Sequence, residues 1–274
     1  MQIAFWSPVH GQTGTTSNTI ALSIMTALDY RYKIMVTHTH FDKNSLEATL
    51  LDKSYLKGDL FELTDTGIDA LSRFCKLKKL DSEMVNNYAT TLVKNRLDLL
   101  IGTLSTHREL YMHNMEDVID QIITAVKECY ELVMIDLSSG MGELTKRIID
   151  KSDLTVISLC QNCHVLDEYF DNYRKDFDGK KVIYLISRYD TNSRINIKMI
   201  KKKYGVKEII LPIPYCIEFA DSMSFGRAVE FFLKERNCSE QDINYDFIQG
   251  IREASEKMFI TMGVDYSYKC EIGM

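Results

Sequence analysis

Ile3-Ala4-Phe5-Trp6-Ser7-Pro8-Val9-His10-Gly11-Gln12-Thr13-Gly14-Thr15-Thr16-Ser17 decides the fold. A short apolar run, of the length and character of a buried strand, enters a glycine-containing loop, and the loop feeds a helical stretch from Thr15 to Leu28. In that context the glycines let the backbone turn with its amides inward. The amino end of the helix adds partial positive charge, so the segment makes an anion cradle. Gly11 and Gly14 shape the turn, and Thr16 or Ser17 presents a hydroxyl to magnesium. The phosphate-loop pattern expects a lysine immediately before that hydroxyl pair. Thr15 stands there instead, so the pattern is broken at its charged position. The candidate nucleotide-contacting residues of the loop are Gly11, Gln12, Thr13, Gly14, Thr15, Thr16 and Ser17.

Outward from this segment, short apolar runs alternate with longer amphipathic stretches, which is the pattern of strands joined by crossover helices in a mainly parallel sheet. The expected strands are Ile3 to Trp6, Lys33 to Thr37, Leu97 to Gly102, Leu132 to Asp136, Leu154 to Leu159, Lys181 to Ser187 and Glu208 to Leu211. Helices are expected over Thr15 to Leu28, Met115 to Tyr130, Leu144 to Lys151, Val165 to Tyr173, Ile195 to Lys203, Ala228 to Lys234 and about Asp242 to Met262. Residues 43 to 95 show helical spacing between polar breaks and predict two or three short inserted helices. The prolines Pro8, Pro212 and Pro214 are each expected just beyond a strand, because proline cannot donate to a central ladder. Ligands of an open α/β sheet bind outside the carboxyl ends of its strands. These loops, with those after Thr37, Asp136 and Ser187, are therefore expected to rim one site.

Tyr130-Glu131-Leu132-Val133-Met134-Ile135-Asp136 is an apolar strand ending in a carboxylate, the form of a Walker B strand whose aspartate holds magnesium directly or through water. Together with the loop, these features make the resemblance specific. His10 through Ser17 aligns with the Lys-Gly-Gly-x-Gly-Lys-Thr-Thr loop of the ParA/MinD ATPases. Asp136-Leu137-Ser138-Ser139-Gly140-Met141-Gly142 resembles their Asp-x-Pro-Pro-Gly segment, and Ser152-Asp153-Leu154-Thr155-Val156-Ile157 resembles their Ala-Asp-x-Val-Ile strand. Ile186-Ser187-Arg188-Tyr189-Asp190 is similar to the Val-x-Asn-Arg-Tyr-Asp stretch that frames adenine, and Leu211-Pro212-Ile213-Pro214-Tyr215, then Ala220 and Gly226, resembles the Ile-Pro-Tyr, Ala and Gly series.

The resemblance covers nearly the whole chain, 1–274, as a single domain with an inserted helical region at 43–95 and a closing helix and tail at 241–274. It implies a P-loop NTPase-like α/β fold, a central mainly parallel sheet with helices on both faces. It also implies ATP and Mg²⁺ as cofactors, nucleotide contacts at Ser187, Arg188, Pro212, Pro214 and Tyr215, magnesium at Thr16 and Asp136, and a homodimer. The segment from Leu97 to Asp136 looks most like the TadZ/CpaE branch, whose members help place pilus assembly machinery.

The departures fall on charge-bearing positions. His10 stands where the family has the lysine that crosses to the partner's nucleotide, Thr15 replaces the lysine acting in cis, and Thr37-His38-Thr39-His40 replaces an Asp-x-Asp pair. Losing the lysine that neutralises the transferred phosphate should impair hydrolysis more than ground-state binding. The functional expectation is thus an ATP-binding switch or localisation factor with slow hydrolysis or none, working with a partner in a pilus or secretion assembly. Its rivals are a nucleotide-independent adaptor and a DNA-partitioning ATPase.

Composition weighs on these choices. A formal net charge of −6 supplies no general attraction to polyanions, which disfavours the partitioning reading. Lys198, Lys201, Lys202 and Lys203 read as a solvated helix face. The start, Met1-Gln2-Ile3-Ala4-Phe5-Trp6, has no basic leader before an apolar core, and no apolar run is long enough to span a bilayer, so a cytoplasmic protein is expected. Seven irregularly spaced cysteines suit reduced thiols, and Cys160-Gln161-Asn162-Cys163-His164 reads as a strand-to-helix turn rather than a haem or zinc motif. His38 and His40, with Asp42 behind, are read as crevice-lining polar residues in preference to a metal site. Ile248, Ile251, Met258 and Phe259 read as the packed face of the closing helix.

Overall fold

The computed structural model describes residues 1–41, 45–52, 67–77, 80–103, 105 and 107–264. Eight strands form one sheet in the spatial order β3-β4-β2-β5-β1-β6-β7-β8. They are β1 (Gln2–Trp6), β2 (Ile34–His38), β3 (Thr90–Val93), β4 (Leu97–Leu99), β5 (Leu132–Asp136), β6 (Leu154–Cys160), β7 (Val182–Tyr189) and β8 (Ile209–Pro214). All neighbours pair in parallel except β3 with β4.

The central strands are apolar on both faces because helices cover both. Ile3 and Phe5 of β1 belong to one core and Ala4 and Trp6 to the other, as the alternation of a strand requires. The first core is closed by α1 (Thr15–Asp29), α10 (Ala228–Glu235) and α11 (Tyr245–Met262). Ile248, Ile251, Met258 and Phe259 are fully buried there, so the closing helix packs on the sheet as expected. The second core is closed by α5 (Arg108–Cys129), α6 (Glu143–Asp150) and α7 (Cys163–Glu168).

The inserted region holds α2 (Ser45–Leu50), α3 (Gly67–Lys76) and α4 (Ser82–Asn87) among the described residues, and also β3, where only helix was expected. Thr90-Thr91-Leu92-Val93 is rich in β-branched residues, and Asn95 takes φ 60° in the turn to β4, a conformation that asparagine tolerates. The resulting hairpin extends the sheet at one edge. β4 is shorter than expected and ends at Leu99.

Pro212 and Pro214 lie inside β8, not beyond it. The strand tolerates them because it is the outer edge of the sheet and pairs only with β7, and two residues apart they place their missing donors on the same side. That edge is covered by α11, whose Gly250 comes so close that a Cβ there would stand 3.3 Å from both Pro212 O and Pro214 Cδ. The helix expected over Val165 to Tyr173 stops at Glu168 and continues as a π turn (Tyr169–Tyr173) and a 3₁₀ turn (Arg174–Phe177). Those turns bring Tyr173 and Phe177 onto Trp6, with ring centroids 5.3 and 5.1 Å from the indole. After α8 (Ile197–Tyr204), α9 (Ile217–Ser224) was not anticipated, since its N-cap is Cys216, whose sulfur accepts from Phe219 N at 3.4 Å.

Candidate nucleotide site

The loop between β1 and α1 wraps the helix amino end. Gly14 is the N-cap at φ 66°, Gly11 has φ 78°, and no side chain caps the helix, so its first-turn amides are left for an anion. A cavity of about 230 Å³ opens over these amides. Gly11, Thr13, Gly14, Thr15, Thr16 and Ser17 line it from the loop, and His10, His40, Leu137 and Ser139 line it from the rim. Gln12 lies outside this cavity, and its backbone carbonyl accepts from the Arg188 guanidinium.

Thr16 and Asp136 meet at the inner end. Thr16 Oγ1 donates to Asp136 Oδ2 at 2.6 Å, a short charge-assisted bond. Asp136 is fully buried. Its Oδ1 has no hydrogen-bond partner among the described residues. A buried carboxylate oxygen without a donor among the described residues, beside the Thr16 hydroxyl at the amino end of α1, suits a hard cation. The residues present therefore fit magnesium, with Thr16 and Asp136 to hold it. Among the described residues no cluster of three or more His, Cys, Asp or Glu side chains has the form of a protein-only metal site.

Thr15, where a lysine was expected, is buried, and its hydroxyl lies 3.2 Å from that of Thr13. Neither this cavity nor the adjoining one is lined by a lysine among the described residues. His40 Nε2 stands 3.2 Å from Asp136 Oδ2. His38 does not share the crevice with it. Its ring is fully buried, bonded through Nε2 to Glu47 Oε1 at 2.8 Å and accepting at Nδ1 from His40 N at 3.1 Å. Burial alone would lower the His38 pKa, but the Glu47 bond and charge, with the field of Asp136, hold it above its ordinary value. Burial likewise works to raise the Glu47 pKa, and the His38 bond and charge and the Gly102 N–H hold it below. The His38–Glu47 bond anchors the end of β2 to α2. Asp42 lies outside the described residues.

A second cavity, about 270 Å³, adjoins the first through Gly11, Gly14 and Ser17. Ser187, Arg188, Pro214 and Tyr215 line it, together with apolar residues of α9 and α11. Arg188 takes φ 51°, a left-handed backbone for a non-glycine residue, and its guanidinium clamps the loop at Gln12 O. Pro212 lines instead a third cavity, with Gln249 and Glu253 of α11. Asn18 and Trp6 are additional residues that no motif singled out. The Trp6 indole donates to Gly140 O at 2.9 Å and so tethers the loop after Asp136.

Comparison with solved structures gives the fold a relation. The ParA family ATPase of Chlorobium tepidum superposes with a TM-score of 0.73 at 14% identity, over 93% of this chain and 98% of that one. The fold is that of the ParA/MinD ATPases. The septum site-determining protein MinD of Pyrococcus horikoshii, complexed with Mg-ADP, matches at a TM-score of 0.68 and 16% identity, over 95% of this chain and 98% of that one. A putative plasmid partition protein of Borrelia burgdorferi, bound to AMPPNP, matches at 0.62 and 16%, over 94% and 98%. No sequence-family model and no curated protein sequence matches this chain. On the ParA/MinD scaffold the two adjoining cavities lie at the carboxyl edge of the sheet, where β1, β5 and β7 end. No helix among the described residues is long and apolar enough to cross a membrane.

Proposed function

We propose that this chain binds ATP with Mg²⁺ at the loop from Gly11 to Ser17 and acts as a ParA/MinD-like switch or localisation factor that hydrolyses slowly or not at all. The observation that carries the reading is the Thr16–Asp136 bond at the inner end of the cavity, with Asp136 Oδ1, unpartnered among the described residues, beside it. A fold kept only for packing has no need of a buried, half-satisfied carboxylate there. The neighbours add support, since one is described with Mg-ADP and another with AMPPNP. In this reading Gly11, Gln12, Thr13, Gly14, Thr15, Thr16 and Ser17 surround the phosphates, Thr16 and Asp136 hold the metal, and Ser187, Arg188, Pro214 and Tyr215 surround the base, with Pro212 behind them. The metal supplies charge neutralisation at the phosphates. The residues themselves orient the triphosphate.

The chain works in the cytoplasm as a homodimer, and its partner belongs to a pilus or secretion assembly. Support for that assignment is the resemblance of the segment from Leu97 to Asp136 to the TadZ/CpaE branch, and one structural neighbour is a MinC:MinD complex from Aquifex aeolicus. Equilibrium dialysis against ATP and Mg²⁺ tests the site. Wild-type protein should retain nucleotide, and Thr16→Val, which removes only the hydroxyl, should retain several-fold less at the same concentration. Equal retention would place the nucleotide elsewhere.

A second reading, an adaptor that no longer uses nucleotide, is favoured by one observation. The residue at the lysine position is turned onto its own loop, with Thr15 Oγ1 against Thr13 Oγ1. It predicts no retention by either protein.

A further inference from the structure

His40 brings an imidazole to the inner end of the first cavity, and the backbone that carries it is pinned on both sides. Thr39 N donates to Asp136 O at 2.9 Å, and Ser138 N donates to Thr39 Oγ1 at 3.1 Å. His40 N donates to His38 Nδ1 at 3.1 Å, and His38 is itself held by Glu47. The segment after β2 is thus tied to the end of β5, and the His40 ring stands beside Asp136 from a fixed backbone.

His40 Nε2 is buried and has no hydrogen-bond partner among the described residues, although it lies 3.2 Å from Asp136 Oδ2. Asp136 Oδ1, also buried, has none either. Two polar atoms from different elements are therefore left unsatisfied at one place, next to the Thr16 hydroxyl. A single cation answers both. With its proton on Nδ1, the neutral ring offers Nε2 as a lone pair, and the carboxylate is a ligand already. Ligands on neighbouring corners of a six-coordinate ion with bonds of about 2.1 Å stand about 3 Å apart, close to the spacing between Nε2 and Oδ2.

The donor decides the kind of ion. Magnesium takes oxygen ligands, whereas imidazole suits the later first-row metals. We infer that His40 supplies a nitrogen ligand to the divalent ion of this site and shifts its preference from Mg²⁺ toward transition ions of the Co²⁺ and Zn²⁺ kind. The inference rests on the nucleotide reading of the loop. It adds a ligand that belongs to neither the phosphate loop nor the strand-end carboxylate.

Calorimetric titration of the full chain with ADP, in Mg²⁺ and in Co²⁺, reads the preference. Wild-type protein should bind ADP at least about tenfold more tightly with Co²⁺, and His40→Asn and His40→Ala should cut that ratio to about threefold or less. Pulsed paramagnetic resonance of the complex with Mn²⁺ and ADP reads the ligand itself. Nitrogen coupling to Mn²⁺ should appear in wild-type protein, change when histidine carries heavy nitrogen, and vanish in both His40 variants. It should persist in His10→Ala, which removes the other histidine lining the cavity. Thermal melts show which variants are folded, and if neither His40 variant is, the labelled wild-type protein and His10→Ala decide the matter. Binding of ADP with no histidine nitrogen on Mn²⁺, coupling lost in His10→Ala, or a ratio unchanged in folded His40 variants would overturn the inference and leave the nucleotide site standing. No binding of ADP with any of these ions would overturn the site as well, so the two failures are distinguishable.

Discussion

Thr16 and Asp136, 120 residues apart in the chain, are joined by a 2.6 Å hydrogen bond that ties the amino end of α1 to the end of β5. The bond leaves one carboxylate oxygen, in a fully buried position, with no partner among the described residues. Asp136→Asn keeps the volume and removes the charge. It should weaken the magnesium-dependent part of ATP binding by about tenfold, with little change in binding without the metal. Asp136→Ala should in addition lower stability by about 1–3 kcal/mol, because it strips a partner from the Thr16 hydroxyl. Calorimetry and urea melts of the two variants separate these effects.

Restoring a cation at the loop should strengthen the phosphate contacts. Thr15→Lys gives up the contact with Thr13 and gains a charge beside the β- and γ-phosphates. ATP affinity or phosphate release should rise by about tenfold, roughly 1.4 kcal/mol. No change in either quantity would count against a nucleotide in this loop.

The buried contact between His38 and Glu47 gives stability a pH signature. The His38 pKa is raised above its ordinary 6.5, so its contribution is complete below pH 6.5 and is lost as pH rises through the folded-state value. The Glu47 pKa is lowered below its ordinary 4.5, so its contribution is complete above pH 4.5 and is lost as pH falls through the folded-state value. The pair is worth most between those two values and weakens on the alkaline side. His38→Leu, which leaves Glu47 buried and unpaired, should cost about 3 kcal/mol at pH 6. It should cost less at pH 9, as urea melts at the two pH values would show.

Trp6 is the one tryptophan of the chain, and its indole holds Gly140 O in the loop that lines the first cavity. Occupancy of the cavity, which Leu137 and Ser139 of the same loop line, should shift its emission. Saturable fluorescence change with Mg-ATP, absent in Thr16→Val, is the expected result. An unresponsive tryptophan in protein shown to bind ATP would mean that the loop does not move with the ligand.

The dimer should not depend on nucleotide. His10 is shorter than the lysine that the resemblance expects to reach a partner's phosphates, so any dimer should rest on surface contacts. Sedimentation with and without Mg-ATP should give the same species, with nucleotide adding a coupling of about 1 kcal/mol. A monomer that dimerises only with ATP would contradict this.

The sequence made much of this site legible through residues whose chemistry is local. Gly11, Gly14, Thr16 and Asp136 announce themselves by their place after a strand or before a helix, and the seven strands other than β3 by buried apolar runs. What stayed hidden depends on tertiary context. The pairing of Thr90–Val93 with β4 needs a partner strand to be seen. Cys216 as an N-cap gives no signal by residue type, and Pro212 and Pro214 fit in β8 only because that strand is the sheet edge. His38 and His40 have the same sequence signature, yet one is held in the core by Glu47, a residue of another element, and the other reaches the cavity. Asn18 was silent for the same reason, since its hydrogen bonds run to two serines on distant strands.

Calorimetric titration of the purified chain with ATP, in the presence and absence of Mg²⁺, tests the central claim most directly. The account predicts one saturable site per chain, clearly tighter with the metal, because the Thr16 hydroxyl and the unpartnered Asp136 oxygen are positioned to hold it. Absence of binding under both conditions, or binding indifferent to Mg²⁺, would contradict it.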